Sequence, residues 1–447
     1  MSGIAELLLN LGYGVSGSDL NDSITTRYLQ SLGAGISKGH YAHLVEGADV
    51  VVTSSAISRD NQEVTAALDA GIPVIQRAEM LAELMRLAKY GIAIAGSHGK
   101  TSTTSMVAWM MAEAGMDPTI VVGGKVDSLG GNAKLGKGDF LVAEADESDG
   151  SFLKLAPVLD VVTNIDLEHM DHYEDIDHIK RTFLEFIDRI PFYGAVILCL
   201  DDENIADILP VIRKRKITYG FSAQADVSAE QIETGRGRVA FAVKSAGEAL
   251  GRIDFSLPGK HNVYNALAAI SVGLELNIPF EKISAALSGF QGVQRRMQQK
   301  GKGRGITVMD DYGHHPTEIR ATLSAIKEGW PEKRLVVLFQ PHRYTRTLAL
   351  LDEFKTCFHQ ADYLVMTDIY AASEKVMEMI SGEILLEEVK KHGQRNTRFV
   401  ANVDSLAEAI LPELQEGDLV LTLGAGNIVR AGEDLVRLLD DRENTKN

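Results

Sequence analysis

The segment Gly96-Ser97-His98-Gly99-Lys100-Thr101 constrains this chain more than any other. A short apolar run, Gly91 to Ala95, leads into it, and a stretch that reads as a helix, Thr101 to Ala114 closed by Gly115, leads out. A strand that feeds a glycine-bracketed loop into a helix N-terminus aims backbone N–H groups and the positive helix end at one anion. Lys100 adds a full positive charge, and the Thr101 hydroxyl is placed to ligate Mg²⁺. Gly96, Ser97, His98, Gly99, Lys100, Thr101 and Ser102 are therefore candidate contacts to a nucleoside triphosphate. The general phosphate-loop pattern carries a glycine five positions before Gly99, where this chain has Ile94, so the loop is the shorter G-x-x-G-K-T variant. A plain strand–helix turn with an incidental lysine is the alternative reading.

At 447 residues the chain exceeds what one core supports and divides into two to four domains. A net charge of −17 argues against non-specific nucleic-acid binding, which depends on Lys and Arg neutralising phosphates. It leaves small anionic substrates open, because local basic clusters override the global balance. Two cysteines, Cys199 and Cys357, make no disulfide framework and fit a reducing compartment. No apolar run approaches the roughly 18 residues of a membrane span, and the start lacks a basic n-region before an apolar one. The expectation is a cytoplasmic protein with no membrane insertion and no nucleic-acid partner.

Ile4, Leu7, Leu8 and Leu11 share one helix face, Gly12 follows as a stop, and a strand is expected from Tyr13 to Ser16, ending near Asp19. A second apolar run, Asp49 to Thr53, ends at Ser54. Strands alternating with helices indicate a parallel α/β unit. Such a unit opens with a strand before its first helix; none precedes this helix, and the expectation is a truncated N-terminal domain with a true start further upstream. Further parallel-type strands are expected at Phe140 to Glu144, Val161 to Ile165 and Ala195 to Leu200, with an antiparallel excursion over Val239 to Leu257. From about residue 291 the alternation restarts, with strands Ile306 to Asp310, Leu335 to Phe339, Tyr363 to Thr367 and Leu419 to Leu423. The reading is three α/β domains: a truncated Rossmann-like unit over 1–78, a central P-loop-type parallel sheet with an antiparallel addition over 79–290, and a second Rossmann-like unit over 291–447.

Polar strings follow these strands where open α/β sheets bind ligands. Glu144-Ala-Asp-Glu-Ser-Asp149 ends one strand, and Glu144 is placed for a metal contact beside the phosphate loop. Asn164 through His172 ends the next, and its histidines and carboxylates could hold a metal or orient a phosphate. Asp310-Asp-Tyr-Gly-His-His-Pro316 and Gln340-Pro-His-Arg-Tyr-Thr-Arg346 end two more. Arg343 and Arg346, three apart on an incipient helix, could both face one anion. Solvated turns and exposed arginines are the alternatives. Met106, Met110 and Met111 read as core, and Gly424-Ala-Gly as a tight strand–helix connection.

Taken together, these strings resemble the Mur ligase family, in family order across nearly the whole chain. Gly259-Lys-His-Asn-Val-Tyr-Asn265 and Gly292-Val-Gln-Arg-Arg296 add to the match. The strings at 310–316 and 340–346 point to the branch that adds L-alanine to UDP-N-acetylmuramate. The resemblance implies ATP-dependent amide ligation through an acyl phosphate. By that resemblance Lys100 holds the β,γ-phosphates, Thr101 and Glu144 ligate one Mg²⁺, and His169 a second. It implies that Asn262 and Asn265 lie on the adenine side, Asp311 at the ribose, and Arg296 at a hinge facing the phosphates. Tyr312, His314, His315, His342, Arg343 and Arg346 are implied near the amino acid, and Ser18, Asp19 and Ser54 near the sugar nucleotide. Relatives carry a Gly-rich turn ahead of the first residue here, and Gly where this chain has Ser373. A murein-peptide-recycling ligase on the same sugar nucleotide, a P-loop kinase or NTPase, and a non-catalytic ATP-binding regulator are the rival readings.

Overall fold

Helix Ser2–Asn10 is the first element of the computed structural model, which describes residues 1–54, 56–126, 131–235, 237–372 and 374–444. Ser373 lies outside the described residues. The fold is α/β with three domains, each built on parallel strands. By packing, the chain divides into two compact units: Met1–Glu168, Asp175–Ser228 and Leu267–Ala286 form one, and His169–Glu174, Ala229–Ala266 and Leu287–Asn447 the other.

In the first unit, β1 (Ser16–Asp19) pairs in parallel with β2 (Gly35–Lys38), and β3 (Val51–Thr53) with β4 (Val74–Gln76), as two separate two-stranded sheets. The expected strand Tyr13 to Ser16 is displaced to Ser16–Asp19. The helix exit consumes the intervening residues: Gly12 turns at φ +89°, and the Tyr13 N–H donates to the Leu8 carbonyl. The larger sheet follows, comprising β5 (Tyr90–Ala95), β6 (Thr119–Val126), β7 (Gly131–Lys134), β8 (Phe140–Glu144), β9 (Leu159–Val162), β10 (Ala195–Cys199), β11 (Lys216–Gly220) and β12 (Val227–Gly235). Their order is β12-β11-β10-β9-β5-β8-β6-β7, so β5 lies centrally between β8 and β9. Helix Lys100–Glu113 leaves β5 and buries Met106, Met110 and Met111 completely, as the core reading requires.

Asp160 breaks the apolar run of β9. It is fully buried, registers against Ala93 of β5 and Val196 of β10, and neither carboxyl oxygen has a hydrogen-bond partner among the described residues. Burial raises its pKa well above the ordinary value, so the folded protein retains a proton that the unfolded chain releases. The sign follows: this group's contribution declines as pH rises above about 4, by about 1.4 kcal/mol per pH unit until the folded pKa is reached. Asp160→Asn is expected to abolish that slope and melt higher than the parent at pH 8. Thermal melts from pH 5 to 8 check this; an unchanged slope in the variant would refute it.

In the second unit, β13 (Arg238–Ser245) and β14 (Glu248–Phe255) form an antiparallel hairpin. Val239, Phe241, Val243, Ile253 and Phe255 are buried, and the expected antiparallel excursion ends at Phe255 rather than Leu257. The C-terminal sheet contains β15 (Gln298–Gly303), β16 (Ile306–Asp311), β17 (Leu335–Phe339), β18 (Tyr363–Met366), β19 (Thr397–Phe399) and β20 (Leu419–Leu423), in the order β15-β16-β20-β17-β18-β19. All neighbours but the β15–β16 pair are parallel. Alternate residues feed two cores: Val308, Val336, Leu338, Val365 and Val420 on one face, Met309, Val337, Phe339, Leu364 and Leu421 on the other. Burial on both faces is why these strands read as continuous apolar runs. The chain passes from β16 to β17 across the position of β20, which places the carboxyl ends of all three side by side at a switch point. Both cysteines are free and buried. Among the described residues, no helix is long and apolar enough to cross a membrane.

Candidate active site

The phosphate loop occupies the carboxyl end of β5, as its sequence predicts. Gly96 has φ +127°, and a Cβ there would lie 2.1 Å from Thr163 Oγ1, so both the angle and the space demand glycine. Gly99 precedes the helix at φ +81°. The loop is braced by the residues just beyond β9. Thr163 Oγ1 donates to the His98 carbonyl at 2.6 Å, and Asn164 Nδ2 donates to the same carbonyl at 3.0 Å. The Ser97 N–H donates to the Asn164 carbonyl, the His98 N–H to Asn164 Oδ1, and the Asp166 N–H to Ser97 Oγ. His98 Nε2 lies 2.9 Å from Asp166 Oδ2. Two corrections follow. The strand expected at Val161 to Ile165 stops at Val162, because Thr163 onward serves the loop. The amides of Ser97 and His98 face Asn164 rather than an anion, so the helix N-terminal N–H groups of Lys100, Thr101 and Ser102 are the ones without an intrahelical acceptor.

Lys100 is saturated: Nζ donates to the Gly96 carbonyl at 2.6 Å, the Ser97 carbonyl at 3.1 Å and Glu147 Oε1 at 2.8 Å. Burial works to lower its pKa, but Glu147 and Glu144 outweigh it and push it up to about 12, so the ammonium is always charged. Thr101 Oγ1 lies 3.0 Å from both Glu144 oxygens, and the Gly123 N–H donates to Glu144 at 2.8 Å. A hydroxyl and a carboxylate facing each other beside a phosphate loop are hard oxygen donors of the kind Mg²⁺ takes. The loop glycines, the lysine and this pair fit a magnesium–nucleotide ligand. Of the four acids in 144–149, Asp146 and Asp149 accept the Ser148 and Ser151 amides within their own turn. Glu144 is partly buried and Glu147 fully so, and the pattern of the string gave Glu147 no role.

In the second unit, His169 adopts φ +57°, and its carbonyl accepts the His172 and Tyr173 N–H groups. Asn262 and Asn265 are buried near the start of helix Lys260–Glu275; Asn262 donates to the Pro258 carbonyl and Asn265 to Asn262. Asp311 accepts the Met297 and Gly313 amides and faces Thr322, so it braces the end of β16. His315 is buried and caps helix Pro316–Gly329, its Nδ1 accepting the Thr317 N–H.

The remaining residues converge at the carboxyl ends of β16, β17 and β20. Arg295 pairs with buried Asp310 at 3.1 Å and donates to the Gly424 carbonyl at 2.6 Å. Arg295 and Arg296 both stack on the Tyr312 ring, at 5.0 and 5.2 Å, and Arg296 lies 3.6 Å from Glu318. The His342 ring sits 5.7 Å from that of His314 and stacks on Tyr370, 5.5 Å away with 13° between planes. Arg346 Nη1 lies 3.3 Å from His342 Nδ1. Burial, then the charges of His314, Arg346 and Arg343, push the His342 pKa down to about 3, leaving a neutral ring in a cationic corner. Arg343 does not share a helix face with Arg346: it is the N-cap at φ +68°, and its guanidinium lies 3.7 Å from Asp171. Tyr370, missed from sequence, is held by a parallel bridge to His342, and no local pattern announces it. In the N-terminal region Ser18 Oγ lies 2.8 Å from His40 Nδ1, Asp19 accepts the Asn21 amide, and Ser54 follows β3 half-buried.

With this geometry in view, known proteins provide the comparison. Three domain descriptions match in order: Mur ligase family, catalytic domain over residues 1–89; Mur ligase middle domain over 94–273; and Mur ligase, glutamate ligase domain over 295–426. The UDP-N-acetylmuramate–L-alanine ligase of Desulfotalea psychrophila is 69% identical over 439 residues, covering 98% of this chain and 96% of that protein. Among solved structures, the UDP-N-acetylmuramate–alanine ligase of Thermotoga maritima aligns with a TM-score of 0.84 at 28% identity, over 99% of this chain and 97% of its own. A murein peptide ligase from Psychrobacter arcticus aligns with a TM-score of 0.73 at 25% identity, over 98% and 96%. A nucleotide cradle at β5, a cationic corner at β17 and these likenesses over nearly the full length agree: the chain belongs to the Mur ligase family.

Proposed function

We propose that this chain joins L-alanine to the carboxylate of UDP-N-acetylmuramate at the expense of ATP. The observation that carries the reading is the 69% identity, over 98% of the chain, to a UDP-N-acetylmuramate–L-alanine ligase. The carboxylate oxygen attacks the γ-phosphorus and ADP leaves, giving an acyl phosphate. The amine of alanine then attacks the acyl carbon, inorganic phosphate leaves, and the nitrogen loses a proton. Lys100 meets the β,γ-phosphates, and the helix amides of Lys100, Thr101 and Ser102 cradle them. Thr101 and Glu144 would hold one magnesium ion and His169 a second, and bound metal would supply positive charge against the phosphoryl oxygens. Arg346 holds the alanine carboxylate, with Tyr312, His314 and His342 around it and Arg343 adding positive charge from the helix N-cap. Asn262 and Asn265 lie on the adenine side, Asp311 near the ribose, and Arg296 near the phosphates. Ser18, Asp19 and Ser54 face the sugar nucleotide, and the working boundaries are 1–78, 79–290 and 291–447. The free buried thiols accord with a cytoplasmic location. Phosphate release from ATP with UDP-N-acetylmuramate tests the proposal: it is expected only when both Mg²⁺ and L-alanine are present. Equal release without alanine would favour a simple NTPase, and release driven by a murein tripeptide instead would favour the recycling ligase.

A further inference from the structure

We propose that Glu147 is the positioning residue of the phosphate cradle: its buried carboxylate fixes the Lys100 ammonium over the loop and is the counter-charge against which incoming phosphate competes. The inference rests on the reading of Lys100 as the phosphate-binding lysine. Glu147 is 2% exposed and stands three residues beyond Glu144, with Oε1 2.8 Å from Nζ. An ammonium offers three donors, and here all three are spent inside the protein, on Glu147 and on the Gly96 and Ser97 carbonyls. A phosphate oxygen therefore reaches Nζ only where one of these bonds is yielded or shared. The carbonyl bonds are neutral at the acceptor, whereas the bond to Glu147 is charge-assisted and roughly twice as strong. Losing it would also pull a buried carboxylate and its neighbouring ammonium apart. The carbonyl bonds yield first, and Nζ swings towards the phosphate with Glu147 as its pivot.

Two opposed effects follow when Glu147 is made neutral. A negative charge disappears from the place where phosphates arrive, so nucleotide binding holds or tightens. The ammonium loses its anchor during phosphoryl transfer, so turnover falls. A carboxylate that merely supports the fold would weaken both together.

The test uses Glu147→Gln in the full chain, with calorimetric titration of Mg–ADP and a non-hydrolysable ATP analogue beside steady-state phosphate release. The expected result is a nucleotide Kd unchanged or up to about 10-fold tighter, with kcat lower by about 10- to 100-fold. The Mg²⁺ concentration for half-maximal rate should not move. Weakened nucleotide binding, or parental kcat, would overturn the proposal. A shift to higher Mg²⁺ would also overturn it, by making Glu147 a metal ligand. If Glu147→Gln does not fold, the Lys100→Met/Glu147→Gln pair decides. Removing both charges should recover most of the melting temperature that Lys100→Met loses, and a double variant that melts no higher than Lys100→Met would sink the idea. Lys100→Ala separates the two layers. Retained turnover there defeats the reading of Lys100 itself, whereas lost turnover there with full turnover in Glu147→Gln defeats the role of Glu147 alone.

Discussion

Lys100→Ala is expected to cut alanine-dependent phosphate release by about 10³-fold or more, because it removes a full cation bonded to the loop that is proposed to meet the phosphates. The same change reaches the fold. Glu147 is buried with Lys100 as its charge partner at 2.8 Å, and breaking a buried pair by deleting one side costs about 3–5 kcal/mol. The melting temperature should therefore fall, and turnover must be read at a temperature where the variant is still folded. A coupled phosphate assay with a thermal melt on the same preparation measures both. Near-parental alanine-dependent release from a folded Lys100→Ala protein would remove Lys100 from the site. A melting temperature equal to the parent's would instead show that the other contacts of Glu147, or a proton it takes up, are enough to hold it.

Pairs such as this one set the limit of what the sequence discloses. The loop itself is legible, because its glycines are required by backbone angles and by close approach to Thr163. Strands buried on both faces are legible too: Phe140–Glu144, Leu335–Phe339 and Leu419–Leu423 fall where their apolar runs place them. Short polar strands are not. Gly35–Lys38, Gly131–Lys134 and Gln298–Gly303 carry no apolar run and owe their state to a neighbour's backbone. Within the acidic string, composition cannot say which carboxylates turn inward. That is settled by the turn, in which Asp146 and Asp149 accept the Ser148 and Ser151 N–H groups while Glu147 faces Lys100. The Asn164 string shows the same limit. Its polar residues suggested a ligand site, and several of them are spent holding the phosphate loop in shape.

Arg346→Ala is expected to raise the KM for L-alanine by about 100-fold, equivalent to about 2.7 kcal/mol, the size of a lost charge-assisted contact to a carboxylate. The KM for ATP should change less than about threefold, because the contact assigned to Arg346 is with the amino acid and not with the nucleotide. The local electrostatics support an anion here. Burial and the surrounding positive charges hold His342 down to about 3, so the ring is neutral at any working pH and accepts from Arg346 rather than competing with it for an anion. His342 and Tyr370 stack with 13° between their planes, which helps fix the ring whose Nδ1 faces Arg346. Arg346→Lys tests geometry apart from charge: a point ammonium cannot reproduce the two-pronged grip, so a 10-fold or larger rise in the alanine KM should remain. Initial rates across an alanine series at saturating ATP, then the converse, measure both constants. Equal increases in the two would take Arg346 out of the amino-acid site and make it a residue of the fold.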